Sequence, residues 1–510
     1  MLVRQSDPSE AEALDEKVPE REPDQVDSRI GVCRLVAQQS SPETVQRLRR
    51  QYFTGEPSRL RHVLSDPLQL SIVQRLNLLL RLLFRLLRAS AKRHGAESYV
   101  SLEMRLAMAQ ACAVMVGKMV TVALYEPAQF EPLIGGPWIP ARVEDAIAAI
   151  VSDADAAFDL PALWPADEWD GWEEPLPLKS LWVGAAGVIW ALDTLRRRGH
   201  AETSLDLAAA ALRTLELKRA APDFAADEHY HPAALFCGET GPLLVAFRLA
   251  SDPALADDLH ALVRANITNP TDDLNWGAPG TLLAALAMGE WTGEPRWEEA
   301  ARETATALRA RRGDDGLWRQ DDDYRGLGTL HGAAGNTLAV LRFEPDDALA
   351  GETAAVLARH AVHEDGLANW PGATGRSLVR PRDGRICLQW CTGAPGVLAG
   401  AWNYLDEELL LAGAELIWRA GGHGDEKGHG LCHGTSGNGF ALLKAFARTG
   451  DERWLERARR FAVHALAQAE RIAAANGRRR YSLFTGDVGT ALFAAACLDI
   501  DTRFPIVDVI

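Results

Sequence analysis

At 510 residues, 47 % of them apolar, the chain is long enough to bury a large core without disulfide staples. Its formal charge of −16 argues against the basic footprint of a nucleic-acid binder and against a uniformly polybasic membrane surface. Seven widely spaced cysteines, an odd number, suit a reduced, cytoplasmic protein rather than a disulfide scaffold.

The first 28 residues carry nine acids against three bases and few apolar residues. This composition predicts a disordered acidic tail over residues 1–40, with no apolar segment of the kind a secretory leader needs. A helical extension is predicted over 41–129. Within it, residues 72–93 are strongly amphipathic: Arg81, Arg85, Arg88 and Lys92 recur on one face, and Leu79, Leu82, Leu83, Leu86 and Leu87 crowd the rest. Such a helix either lies on a membrane or partner surface or packs on its own protein with the basic face in water; the second is the simpler expectation. The apolar stretch 105–125 is interrupted by Gln110 and Lys118, so a buried helix is expected there rather than a membrane span.

From residue 130 onward the chain repeats. Seven segments share Gly-x-x-Gly followed by an apolar helical run, with first glycines at Gly184, Gly238, Gly277, Gly332, Gly393, Gly434 and Gly486. The spacing of 39 to 61 residues suits one helical hairpin per repeat. Segments such as Trp297–Arg311 and Glu452–Gln468 have mixed faces and read as outer helices. Those after the glycine pairs are apolar nearly all round and must be buried on both sides. Seven such hairpins predict an all-α fold closed into an α/α toroid over 130–510, which replaces the three or four domains that length alone suggests.

The fifth and sixth glycine loops carry metal-type side chains. WCTGAPG puts Cys391 two residues before Gly393, and LCHGTSG puts Cys432 and His433 at the same place before Gly434. If neighbouring repeats are adjacent in space, two thiolates and one imidazole converge at one mouth of the ring. That is three protein ligands for zinc with a fourth position open, the arrangement of catalytic rather than structural zinc. His331 before Gly332 and Asp273 before Gly277 stand in similar register and form a candidate acid/base pair. Read alone, His331 is equally a hydrogen-bonded core histidine and Asp273 an ordinary loop or cap acid. Cys237 reads as a packed thiol. Cys387 is a competing ligand outside the repeat register.

WCTGAPG, GLCHGTSGNG and LHGAAG resemble the LanC family of lanthipeptide cyclases and their LanC-like relatives. The resemblance covers about residues 130–510, and LQWCTGAPG with GLCHGTSGNG is nearer the LanC-like branch. It implies a seven-hairpin toroid with zinc held by Cys391, Cys432 and His433, a histidine beside the metal at His331 and a catalytic aspartate at Asp273. The chain departs from the family pattern at three places. Cys387 stands where cyclases often have arginine, with Arg385 nearby but shifted. Thr392 replaces a histidine usual in the LanC-like branch, and Thr485 replaces a common acid.

The expected activity is zinc-dependent addition of a thiol, from a peptide cysteine or from glutathione, to dehydroalanine or dehydrobutyrine in a dehydrated peptide or protein. The product is a thioether; Asp273 is the expected base and His331 the expected acid. The competing reading is a non-catalytic, zinc-containing peptide-binding protein. A glycosidase would need a carboxylate pair facing across the bond, which the glycine loops do not display.

Overall fold

The computed structural model describes residues 123–134, 136–171, 174–321, 324–375 and 386–510. The acidic tail, the extension up to residue 122 with its amphipathic stretch at 72–93, and Arg385 lie outside the described residues. Those that follow belong to a compact unit running from Thr121 to Ile510.

Fifteen helices are found among the described residues. Seven form an inner set: α3 (Ala185–Arg197), α5 (Thr240–Ala250), α7 (Ala278–Thr292), α9 (Ala333–Phe343), α11 (Ala394–Ala401), α13 (Thr435–Thr449) and α15 (Asp487–Asp499). Each packs on the next, and α15 packs back on α3, so the set closes into a ring. Outside it lie α1 (Pro140–Ala157), α4 (Leu207–Ala220), α6 (Pro253–Asn266), α8 (Pro295–Arg311), α10 (Asp347–His360), α12 (Glu407–Ala420) and α14 (Glu452–Asn476). The architecture is an all-α, double-ringed α/α toroid. The remaining helix, α2 (Glu168–Gly171), is a single turn between α1 and α3.

The two helix sets begin differently for a chemical reason. Five outer helices start at an aspartate whose carboxylate accepts a first-turn amide: Asp206, Asp252, Asp346, Asp406 and Asp451. Inner helices begin at glycine with no side-chain cap, apart from α5, which begins at Glu239. Loop carbonyls satisfy their first amides instead, as when Ala334 donates to Leu327 and Thr435 donates to Gly428. This tucks the loop against the helix. A Cβ on the second glycine of a pair would strike a loop carbonyl; at Gly335 and Gly437 it would stand 1.8 Å from Thr329 O and Leu431 O.

The ring is filled rather than hollow. Trp390 stacks on Phe504 with ring centroids 4.6 Å apart, and Phe440 and Phe484 pack around the same phenyl ring. The chain after α15 thus supplies part of the core. Lys444 pairs with Asp508 at 2.6 Å and Arg342 donates to the Val507 carbonyl, which fix that segment.

Three short antiparallel ribbons were not anticipated from the sequence: β1 (Phe130–Glu131) with β6 (Gly422–His423), β2 (Tyr324–Gly326) with β5 (Ala373–Gly375), and β3 (Val362–Glu364) with β4 (Leu367–Asn369). Strands of two or three residues are too short to show an alternating pattern. The first ribbon ties the chain ahead of α1 to the sixth repeat. Nearby, the Asn369 amide donates to the Leu124 carbonyl and Ile386 donates to the Ala123 carbonyl.

Candidate active site

Because every inner helix starts at its glycine loop, all seven loops gather at one mouth of the ring. Backbone hydrogen bonds tie one loop to another: Cys391 N donates to Cys432 O, Cys432 N to Phe484 O, Phe484 N to Trp182 O, and Trp182 N to Phe236 O. In a second run, Leu274 N donates to Leu330 O and joins the third loop to the fourth. The side chains singled out by register are therefore held on two runs of bonded backbone, the thiols and His433 on one and Asp273 and His331 on the other.

Cys391, Cys432 and His433 come together, with their candidate ligand atoms within 4.8 Å of one another. Cys432 Sγ lies 3.6 Å from His433 Nε2. Both thiols are buried. The hydrogen bond from the Cys432 thiol holds the Cys391 thiol well below its ordinary range, against its burial and with help from His433 and His331. Burial, then the neighbouring Cys391 thiolate, push the Cys432 thiol well above the ordinary range. Such a pair shares one negative charge until a cation compensates a second. His433 Nδ1 is buried with no hydrogen-bond partner. Two soft thiols and an imidazole with an orphaned nitrogen are the donor set that zinc takes. Gln389, buried, donates its side-chain amide to Cys391 Sγ at 3.0 Å and so orients that thiol.

His331 and Asp273 also meet. His331 Nδ1 lies 2.8 Å from Asp273 Oδ2, and the other carboxylate oxygen accepts the Trp276 amide at 2.7 Å. Asp273 is buried, while 29 % of the His331 side chain remains exposed at the mouth. Burial alone would lower the His331 pKa. The hydrogen bond and charge of Asp273 outweigh it and, with Cys391 and Asp227, leave the imidazole raised. The fourth loop, which carries His331, lies against the fifth, which carries Cys391: a Cβ on Gly328 would stand 3.1 Å from the Cys391 carbonyl oxygen.

The remaining thiols divide as their positions suggest. Cys237 is buried, donates to Asn275 Oδ1 at 3.6 Å, and burial raises its pKa well above the ordinary range. Cys387 is not in the Cys391–Cys432–His433 group; its carbonyl accepts the Asn369 amide at 3.1 Å. All five described cysteines are free thiols.

Sequence reading missed several neighbours. Trp169 on α2 sets its ring against His433 with centroids 5.7 Å apart. Asp170 beside it accepts from Ser482 and Thr485. Tyr324 on β2 donates its hydroxyl to the carbonyl of Gly372, a residue that abuts Thr392. Gln389 stands four before Gly393, as Asp273 stands four before Gly277, inside the LQWCTGAPG segment, and was passed over. Trp169, Asp170 and Tyr324 lie outside the glycine-loop register, and no motif marked them.

Comparison with known proteins agrees with the motifs. A model of the lanthionine synthetase C-like protein family matches residues 177–509, which include all seven glycine loops. A zebrafish (Danio rerio) protein named glutathione S-transferase LANCL1 is 33 % identical over 134 residues, covering 24 % of this chain and 32 % of that relative. The LanC-like protein GCL1 of Arabidopsis thaliana is 27 % identical over 256 residues, covering 46 % of this chain and 57 % of that relative. The chain thus matches about a third and somewhat over half the length of these curated relatives. Among solved structures, nisin cyclase is similar with a TM-score of 0.44 at 14 % identity, over 72 % of this chain and 96 % of that one. With a family match spanning well over half its length, and with the glycine loops, thiols and imidazole in place, the chain belongs to the lanthionine synthetase C-like family.

Proposed function

We propose that this chain adds a thiol to the β-carbon of a dehydroalanine or dehydrobutyrine residue in a dehydrated peptide or protein, forming a thioether at the ring mouth. The observation that supports this reading is that the Cys391–Cys432–His433 donor set and the Asp273–His331 pair sit on neighbouring glycine loops that touch at Gly328 and Cys391.

Zinc, held by Cys391, Cys432 and His433, would supply the positive charge that keeps an incoming thiol as its thiolate at neutral pH. The chain's own groups do the rest. Gln389 holds Cys391 in position. Asp273 accepts one hydrogen bond on each oxygen and keeps a lone pair on each; it orients the His331 ring, favours its protonated form and, as base, takes the thiol proton and passes it to the ring. His331 gives its proton to the substrate α-carbon after the carbon–sulfur bond forms, and the proton released by the thiol reloads it.

Glutathione is one candidate thiol, suggested by the name of the zebrafish relative; a cysteine of the same peptide is the other. No helix among the described residues is long and apolar enough to cross a membrane. The free thiols fit a reducing, cytoplasmic setting. We further propose that the toroid occupies the chain from about residue 130 to residue 510.

The test incubates the zinc-loaded protein with a dehydroalanine-containing peptide that carries one cysteine, with and without glutathione. Mass spectrometry and thiol alkylation read the outcome. An unchanged mass with loss of the alkylatable thiol means cyclisation, and a gain of one glutathione means conjugation. No product with either thiol, from protein shown to hold metal, would overturn the enzymatic reading in favour of a zinc-containing peptide-binding protein.

A further inference from the structure

The Tyr324 side chain stands at the mouth between the fourth and fifth glycine loops. Its strand pairs with β5 (Tyr324 opposite Gly375) and ends at Gly326. There the backbone packs so closely on the next turn that a Cβ would stand 1.3 Å from the His331 carbonyl oxygen. The strand carrying Tyr324 is thereby locked to the loop carrying His331. The tyrosine hydroxyl donates to the Gly372 carbonyl at 3.5 Å, the outer limit of a useful hydrogen bond. Gly372 in turn abuts Thr392: a Cβ there would lie 3.1 Å from Thr392 Cγ2 and 3.7 Å from the Tyr324 hydroxyl. Thr392 Oγ1 is 3.8 Å from Cys391 Sγ. The phenol, the Cys391 thiol and the Asp273–His331 pair therefore share one patch of the mouth.

Burial, followed by the charges of Cys391, Asp273 and Cys387, pushes the Tyr324 pKa up. The phenol stays protonated through the whole physiological range. It is a donor with one stretched partner. The Gln389 amide, by contrast, is already spent on Cys391 Sγ.

We propose that Tyr324 is a further catalytic group, whose hydroxyl donates a hydrogen bond to the carbonyl oxygen of the dehydro residue under attack. This rests on the thiol-addition reading above. As the carbon–sulfur bond forms at the β-carbon, the π pair of the carbon–carbon double bond moves through the α-carbon to that oxygen, which becomes an enolate. The α-carbon then takes the His331 proton and the carbonyl re-forms. Overall, S–H adds across C=C, and Tyr324 keeps its proton throughout. A donor aimed where charge develops lowers the barrier without binding the ground state more tightly.

The test is Tyr324→Phe in the full, zinc-loaded chain, with glutathione and a dehydroalanine-containing peptide as probes. Loss of a single oxyanion donor costs roughly 10²–10³-fold in kcat. The expected result is a fall of that size with KM little changed and with metal content and melting temperature equal to wild type. Equal turnover by wild type and Tyr324→Phe would overturn the proposal and leave the thiol-addition reading standing. A rate loss explained by lost metal or a lowered melting temperature would also overturn it, since the role would then be structural. No product from the wild type overturns both.

Discussion

His331 Nδ1 and Asp273 Oδ2 meet at 2.8 Å although 58 residues separate them in the chain. Each sits on its own glycine loop, and the Leu274–Leu330 backbone bond joins those loops directly behind the pair. The contact is a product of ring geometry: successive inner helices bring equivalent loop positions side by side.

This pairing fixes the sign of a pH effect. The folded-state pKa of His331 lies above the ordinary histidine value of about 6.5, because Asp273 outweighs burial. The protonated imidazole is the acid in the proposed reaction, so kcat/KM should fall as pH rises through the raised value. Asp273→Asn removes the main raising influence and leaves burial opposed only by the charges of Cys391 and Asp227. Its alkaline limb should therefore move to lower pH. The pair's contribution to stability has the same sense: it is fully present below the ordinary value and lost as pH rises through the raised one. Rate profiles of wild type and Asp273→Asn check this, and coincident alkaline limbs would contradict it.

Metal content separates the two groups at the mouth. Cys391→Ala and Cys432→Ala each remove a donor from the converged set and should abolish stoichiometric zinc. The loss should exceed the roughly 10–100-fold that outer partners of a metal site cost. His331→Ala should keep one zinc per chain, because His331 is not in that set. Elemental analysis of the three purified variants reads this directly. Zinc retained in both cysteine variants would move the site elsewhere.

How much of this was legible in the sequence follows from the repeat. A shared register made Cys391, Cys432 and His433 neighbours before any coordinates, since equivalent positions on adjacent hairpins must be adjacent in a closed ring. It brought out His331 and Asp273 in the same way, though not that both Asp273 oxygens would be engaged. Tyr324, Trp169 and Asp170 reach the mouth from β2 and α2, which belong to no repeat. Their position depends on where an irregular connection folds back, and no period encodes that. Outer helices were recognisable but their ends were not: α14 runs on to Asn476, eight residues beyond the expected Gln468, before Gly477 stops it in a left-handed conformation.

Gly393 tests the link between loop geometry and the thiol site. Its φ is +113°, a region that side chains avoid, and a Cβ would stand 2.2 Å from the Cys387 carbonyl oxygen. Gly393→Ala must shift the backbone two residues from Cys391. A destabilisation of about 2–4 kcal/mol is expected from strain and overlap together. Zinc affinity should fall with it. Denaturant unfolding and metal titration measure both, and full affinity with wild-type stability would show that the loop is softer than its packing implies.

Asp170 carries a second pH dependence, opposite in origin. It is 3 % exposed; Oδ2 accepts from Ser482 and Thr485, while Oδ1 is buried with no hydrogen-bond partner. Burial dominates and pushes its pKa up to about 6, against the Arg480 charge and the Thr485 hydrogen bond. An aspartate with a folded-state pKa above its unfolded value of about 3.9 binds more protons when folded. Stability therefore falls as pH rises through the window between those two values and stays lower above it. Two pKa units at about 1.4 kcal/mol each give a penalty on the order of 3 kcal/mol at neutral pH. Asparagine mimics the neutral acid in shape and charge. Asp170→Asn should therefore melt a few degrees above wild type at neutral pH, since an unfolding entropy of about 2.1 cal/mol/K per residue makes each kcal/mol worth roughly 1 °C in a unit of this size. The advantage should shrink towards pH 4, where the wild-type carboxyl is itself protonated in the fold. Melting curves at the two pH values decide the matter. A variant less stable than wild type at neutral pH would mean that the Ser482, Thr485 and Arg480 contacts outweigh the desolvation of the carboxylate, and that Asp170 is held ionised.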